Sequence, residues 1–285
     1  MVLGLMGNPT KSELVSVLPE YVHWLSQKGV EYLVSTEFTE ISSLLALEKY
    51  SPSVIADRAD VLLSFGGDGT LLNTVHILHG REVPVLGVNL GGLGYLAAVG
   101  PDELQERTED LLAGRWSVEN RMMLEARLED GPDQEPRYAL NDIVVDKGGY
   151  SRMIRLHTTI DGKFLNEYSA DGIIIATPTG STGYSLSAGG PIMEPKMAGI
   201  LFHPLNPHSL SNRPLIISDD KTIRIVAYTE FDHVVINVDG REAHKVKSGA
   251  TLVVRRASFS ACLVNFESFC EARKYNLRLC VHLNV

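Results

Sequence analysis

A chain of 285 residues is long enough to bury a sizeable core, as one large domain or two smaller ones. Its composition, 44% hydrophobic and 21% charged with 25 glycines, excludes a disordered, collagenous or disulfide-scaffolded protein. The formal net charge of −9 argues against nucleic acid or an anionic membrane as a partner. It does not exclude a phosphate-bearing substrate, because backbone N–H groups and a metal ion hold phosphate without basic side chains. Cys262, Cys270 and Cys280 show no CxxC spacing, so reduced thiols suit them better than a zinc site or disulfides. The opening segment has no signal-peptide pattern, and no apolar run approaches the ~20 residues of a membrane span. A soluble, cytoplasmic protein is expected.

In chain order, Val2–Met6 reads as a short strand and Leu14–Gln27 as a helix with apolar residues at Leu14, Val17, Leu18, Tyr21, Val22 and Leu25. Tyr32–Ser35 and Ala59–Phe65 read as strands, the second running into Gly66-Gly67-Asp68-Gly69-Thr70. Leu71–His79 has helical spacing, and Val83–Asn89 is a strand ending in a glycine-rich turn. Strands and helices alternating in this way predict a doubly wound, Rossmann-like α/β sheet with its site at the carboxyl strand ends. After about Gly114 period-2 patterns take over. Asp161-Gly162 joins Arg155–Ile160 to Lys163–Tyr168, and Asp239-Gly240 joins Val234–Val238 to Arg241–Val246, each as a hairpin. Thr222–Tyr228, Thr251–Arg255 and Cys262–Phe266 read as further strands. The expected division is an α/β domain over 1–115 and a mainly β domain over 116–266, with 267–285 as a tail able to pack back on the first domain.

Two stretches carry the chemistry. Gly66–Thr70 lies between an apolar strand and an amphipathic helix, where glycines let backbone approach a ligand and the helix start offers free N–H groups to a phosphate. Asp68 at its tip suits proton abstraction from a hydroxyl, or the positioning of a metal. The bland alternative is a tight turn with Asp68 as a helix cap. The second stretch, Thr177-Pro178-Thr179-Gly180-Ser181-Thr182-Gly183-Tyr184-Ser185-Leu186-Ser187-Ala188-Gly189-Gly190-Pro191, follows the buried-type strand Ile173–Ala176. Its glycines and hydroxyls present many donors with little bulk, and Tyr184 can stack on a base or a nicotinamide. A Ser/Gly-rich surface loop is the competing reading.

These stretches, with Gly87–Asn89, Gly91–Leu96, Leu140–Asp142, Ala170–Gly172, Pro207–Pro214 and Val238–Gly240, resemble the ATP-NAD kinases over nearly the whole chain. The resemblance implies transfer of the ATP γ-phosphate to the 2′-hydroxyl of the adenosine ribose of NAD. It makes Asp68 the general base, and gives Gly69 a backbone contact with the nucleotide. It assigns Asn141 and Asp142 to the adenosine side, with Asp142 one methylene shorter than the glutamate of many relatives. Arg152 matches a dinucleotide contact, and Asp171 an acidic residue that reaches NAD from a neighbouring subunit. Thr182, Gly183, Tyr184, Ser185, Leu186 and Ser187 match a nicotinamide-side loop, and Arg241 stands where many relatives carry glutamine. It further implies Mg²⁺ or another divalent cation carried mainly by the ATP phosphates, with no metal ligands from the protein. The implied partners are NAD and ATP, or polyphosphate in its place, and the implied assembly is a homo-oligomer, a dimer or tetramer.

His208 is read as structural. Two other functions fit parts of the sequence. A diacylglycerol-class lipid kinase shares GGDGT but has no need of the second stretch. A non-catalytic NAD(P) sensor keeps the loops but can dispense with Asp68.

Overall fold

The computed structural model describes residues 1–39, 47–91, 94–97, 99–129, 135–209 and 211–266. Residues 1–120 together with Ala261–Phe266 form one compact unit, and Arg121–Ser260 form a second. The first is α/β and the second is mainly β. The tail 267–285 lies outside the described residues.

The first unit carries β1 (Val2–Gly7), α1 (Leu14–Lys28), β2 (Glu31–Ser35), β3 (Lys49–Tyr50), α2 (Pro52–Arg58), β4 (Val61–Gly66), α3 (Asp68–Leu78), β5 (Val85–Asn89) and α4 (Leu104–Leu112). Its strands are parallel in the order β3-β2-β1-β4-β5, with Leu263 from the end of β17 (Ala250–Asn265) pairing alongside Val85. The near-continuous apolar runs of β1 and β4 follow from cover on both faces, as parallel sheets require. Leu3, Leu5, Leu14, Leu18, Leu25, Phe38 and Phe65 lie fully buried in one cluster. Gly29 ends α1 in the left-handed region, at φ 67°, where a Cβ would be strained.

The second unit holds two sheets. One has the order β10-β9-β14-β17, from Lys163–Ala170, Ile154–Ile160 and Ile223–Tyr228, all antiparallel; β6 (Ser117–Leu128) pairs with β17 and with β7 (Arg137–Ala139). The other runs β13-β12-β11-β8-β15-β16, from Leu215–Ser218, Gly199–Leu205, Gly172–Ala176, Asp142–Asp146, Val234–Val238 and Arg241–Val246. Period-2 alternation sends Ile143, Val145, Ile173, Ile175 and Phe202 into the core they share with the first sheet. Val144, Ile174, Ala176 and Leu201 point to the opposite face, where Met193 covers them. The residues from Thr177 to Met193, including the short helix α5 (Tyr184–Ser187), close over that face.

Two local expectations change. Thr251–Arg255 and most of Cys262–Phe266 are parts of one 16-residue strand, β17, which ends at Asn265. The exposed Arg255, Arg256 and Ser258 between them break the apolar count without breaking the ladder. The helix after the glycine turn begins at Asp68 itself, with Gly67 as its N-cap. Among the described residues, no helix is long and apolar enough to cross a membrane.

Candidate active site

In the first unit the site grows from the exit of β4. Leu90 N–H donates to Gly66 O (3.1 Å) and Asn8 N–H donates to Phe65 O (2.9 Å), so the exits of β5 and β1 are laced to that of β4. Gly66 has no room for a side chain, since a Cβ there would overlap Thr70. The segment after β5 doubles back. Asn89 N–H donates to Val99 O (2.8 Å), and Gly87 lets the Ala97 backbone come close. This fold-back aims three successive amides at Asp68. Tyr95 N–H donates to Oδ2 at 2.6 Å, and Leu96 and Ala97 N–H donate to Oδ1 at 2.8 and 3.2 Å. Gly94 completes the cradle, because a Cβ on it would overlap the Asp68 carboxylate. Sequence reasoning matched Gly94 and Tyr95 to a motif without giving them a task. The signal was a glycine run at the exit of the strand next to the GGDG strand. Gly69 is exposed in the first turn of α3 with open space around it.

In the second unit a cavity of about 470 Å³ is lined by Asn141, Asp142, Val144, Asp146, Tyr184, Asn237, Asp239 and Gly240. Alternation along β8 puts Asp142, Val144 and Asp146 on one face, and Asn237 of β15 pairs opposite Val144. The Asn141-Asp142 segment is held from both sides. The Asp239 carboxylate accepts from Leu140, Asn141 and Asp142 N–H at 2.9, 2.8 and 3.0 Å. On the other side Thr177 N–H donates to Asn141 O (2.9 Å), and the Thr177 hydroxyl donates to Leu140 O (2.5 Å). Gly180 is packed so tightly on Asn141 that a Cβ would strike its carbonyl.

Electrostatics mark this cavity. Burial, with the neighbouring Asp239 charge second, pushes the Asp142 carboxyl up to about 7, against a Tyr184 amide bond that lowers it. Burial also raises the Asp146 carboxyl. Tyr184 remains 49% exposed, and its hydroxyl is raised by partial burial and then by the Asp146, Asp171 and Asp142 charges. Asp171 is held low by Lys147 Nζ at 2.6 Å and by Asn206 Nδ2 at 3.0 Å.

The hydroxyls of the second stretch are a correction to the sequence reading. They were expected to offer donors to a ligand, but most are committed to the loop's own bonds. Ser181 Oγ donates to Pro178 O (2.6 Å) and accepts from Met193 N–H (2.9 Å). Thr182 Oγ1 donates to Thr179 O (3.0 Å), and Thr179 Oγ1 accepts from Arg121 at 3.3 Å. Ser185 lies fully buried, with its hydroxyl 2.9 Å from Nδ1 of the buried His203. Unbonded hydroxyls on a covered sheet face would each carry a desolvation penalty, so the chain folds them inward onto partners. Gly183 and Tyr184 sit at the rim, with Gly183 within 3.6 to 3.7 Å of the Asp142 and Asn141 side chains for a Cβ built on it.

Of the residues expected from sequence, Asn141, Asp142 and Tyr184 come together at the cavity, while Asp146, Asn237 and Asp239 were missed there. The four-residue spacing of Asp142 and Asp146 on one strand was the available signal for the first of these. Arg152 is not brought to the cavity. It is exposed and pairs with the equally exposed Glu230 at 2.7 Å, an ion pair worth little in water. Arg241 is exposed at the start of β16 and does not line the cavity either. Leu186 and Ser187 belong to α5, beside the rim.

Residues 3–116 match the ATP-NAD kinase N-terminal domain, and residues 140–266 match the ATP-NAD kinase C-terminal domain. The chain is 40% identical over 267 residues to an NAD kinase of Heliobacterium modesticaldum, covering 92% of each. It is 41% identical over 251 residues to an NAD kinase of Geobacter metallireducens, covering 87% of each. The yeast NADH kinase complexed with NADH is similar in structure, with a TM-score of 0.91 and 29% identity over 100% of this chain and 89% of that one. An NAD kinase from Archaeoglobus fulgidus in complex with ATP has a TM-score of 0.75 at 25% identity over 97% of each chain. Readings as a lipid kinase or a non-catalytic sensor find no support in these matches. The chain belongs to the ATP-NAD kinase family and is a kinase acting on NAD.

Proposed function

We propose that the chain transfers the γ-phosphate of ATP to the 2′-hydroxyl of the adenosine ribose of NAD, with Asp68 as general base. The observation that carries this reading is the place of Asp68, at the start of helix α3 and beside the carboxyl ends of β1, β4 and β5, with three amides fixing its carboxylate there. Among the described residues, Oδ1 accepts two amide N–H groups and Oδ2 only one. A carboxylate oxygen has two lone-pair sites, so Oδ2 keeps one for an incoming O–H. Oδ2 takes the hydroxyl proton as the hydroxyl oxygen forms its bond to the γ-phosphorus. The bond between that phosphorus and the β–γ bridging oxygen breaks, and ADP leaves. A carboxylate is a weak base, so the cradle contributes by fixing its position and proton transfer comes late.

In the same reading the cavity of the second unit takes the dinucleotide, with Asn141 and Asp142 on ribose hydroxyls and Tyr184 along a ring face. Gly69, Gly183 and the α5 residues Ser185 to Ser187 contribute backbone groups, as does Thr182. Asp171 serves a neighbouring copy of the chain in a dimer or tetramer. Arg152 and Arg241 are the weakest members, since both are exposed and outside the cavity lining. Among the described residues no three acidic, imidazole or thiol groups converge as a metal cage. A divalent cation such as Mg²⁺, brought in with the nucleotide, would supply further positive charge to the transferred group. These substrates fit a cytoplasmic location.

The testing experiment incubates purified protein with NAD, Mg²⁺ and either ATP or polyphosphate. NADP is then measured with an NADP-specific dehydrogenase, which reads phosphate at the 2′ position. NADP formed with ATP supports the proposal. A phosphorylated product that the dehydrogenase rejects sinks the 2′ assignment, and activity with polyphosphate alone sinks ATP as the donor.

A further inference from the structure

Phosphoryl transfer concentrates negative charge on three phosphate oxygens, and NAD and ATP both arrive as anions at a turn that already holds the Asp68 carboxylate. The residues assigned so far in the first unit supply no side-chain cation to meet that charge. The described part of this unit holds seven lysines and arginines: Lys11, Lys28, Lys49, Arg58, Arg81, Arg107 and Arg115. Five are engaged elsewhere. Lys28 pairs with Glu109, Arg81 with Asp57, and Arg107 and Arg115 with Asp110, while Arg58 lies over the Tyr50 ring. Lys49 starts the edge strand β3, with β2 and β1 between it and β4.

Lys11 differs from all of these in place and in partners. It follows β1 in a tight turn, in which Asn8 Oδ1 accepts from Thr10 N–H (3.0 Å) and from the Thr10 hydroxyl (2.8 Å). Lys11 N–H donates back to Asn8 O at 3.3 Å. From that turn its ammonium reaches the segment after β5, since a Cβ built on Gly91 would lie 3.8 Å from Lys11 Nζ. Gly91 follows β5, and β4 lies between β1 and β5 in the sheet. Neighbouring strands stand about 4.8 Å apart, so a side chain running from the turn after β1 to Gly91 lies at the end of the sheet where β4 exits into Gly66, Gly67 and Asp68. Among the described residues Lys11 is half-buried and makes no close ion pair, with Glu13 as a charge that it acts on through space. A half-buried lysine whose ammonium turns from the loop after β1 to the segment after β5 is poorly explained as a solvated surface charge.

We propose that Lys11 is a phosphate-holding residue that meets the donor's phosphate chain above the Gly66-Gly67-Asp68 turn. Its three N–H donors offset charge that develops on the γ-phosphoryl oxygens during transfer, as a point cation does at other phosphoryl-transfer sites. The inference rests on ATP as the donor, so its test includes a probe that does not depend on turnover.

Lys11→Met keeps the aliphatic stem and removes the charge. With wild-type melting behaviour as the folding control, kcat/KM for ATP is expected to fall about 10²-fold while KM for NAD stays within about twofold. Lys11→Arg, which retains a cation, is expected to recover most of the loss. Binding of inorganic tripolyphosphate, measured by calorimetry without NAD, is expected to weaken about tenfold or more in Lys11→Met. An unchanged tripolyphosphate affinity overturns the proposal, as does a Lys11→Met enzyme with wild-type kcat/KM for ATP. A wild-type protein that makes no NADP from ATP defeats the donor assignment instead, and the tripolyphosphate arm still decides Lys11. If Lys11→Met melts early, Lys11→Gln replaces it in both arms.

Discussion

Asp68 and Asp239 are held alike and are proposed to act differently. Each carboxylate accepts three amide N–H groups from three consecutive residues, 95–97 for Asp68 and 140–142 for Asp239. Asp239 sits in a hairpin turn with φ 48°, and its own N–H donates to Asp142 O, so its donors and its backbone bond belong to one closed unit. Asp68 opens helix α3 at the exit of a parallel strand, where glycines at 66 and 94 clear space and the helix start favours negative charge. A ring of amide donors therefore does not by itself identify a reacting carboxylate. What separates the two is what stands next to them: hairpin backbone around Asp239, and the carboxyl ends of β1, β4 and β5 around Asp68.

Substitutions can break or sharpen this contrast. The largest effect is expected for Asp68→Asn, which keeps the size of the side chain and removes its basicity. Its kcat should fall by about 10²- to 10⁴-fold with NAD affinity retained, as read by steady-state kinetics beside equilibrium binding. Gly94→Ala places a methyl against the Asp68 carboxylate and should lower kcat about tenfold or more by displacing the base. A normal kcat in that variant would show that the cradle tolerates movement. Tyr184→Ala removes a half-exposed ring at the cavity rim and should raise KM for NAD several-fold, equivalent to about 1 kcal/mol. An unchanged KM would leave Tyr184 a structural role only.

The smallest effect concerns pH. Asp142 is raised from the ordinary carboxylate value to about 7, so the folded state holds a proton that the unfolded chain gives up near 4. Between those two values the folded state binds more protons, and this group's contribution makes stability fall as pH rises, with the penalty complete above about 7. Asp142→Asn should remove the penalty, raising Tm relative to wild type at pH 8 and much less at pH 5. A Tm difference independent of pH would contradict the burial of a charged Asp142.

Much of this was legible in the sequence. Leu14 to Leu25 carry a helical stripe long enough to read, and Asp161-Gly162 and Asp239-Gly240 are hairpin turns with flanking alternation. Helix α4 was not legible, because Leu104–Leu112 buries only Leu104, Thr108 and Leu111 among charged residues. Asp68 could be found because glycines surround it in sequence. Its three amide donors could not, since they come from 27 to 29 residues away through a fold-back that no local pattern encodes. The hydroxyl-rich stretch misled for a related reason. Composition shows that Ser181 and Ser185 carry donors, but only the cover they give the sheet turns those donors inward. Arg152 was a positional match, and its exposed pairing with Glu230 is invisible without the fold.

The most direct measurement sets Asp68→Asn beside Asp239→Asn, recording kcat for NADP formation and Tm for each. The expected result is a crossed pattern. Asp68→Asn keeps a near-wild-type Tm and loses turnover by orders of magnitude. Asp239→Asn loses about 2 kcal/mol of stability, as its charge-assisted amide bonds weaken, and keeps most of its turnover at a temperature where it is folded. An Asp68→Asn enzyme that turns over at a near-normal rate would contradict the assignment of Asp68 as the base.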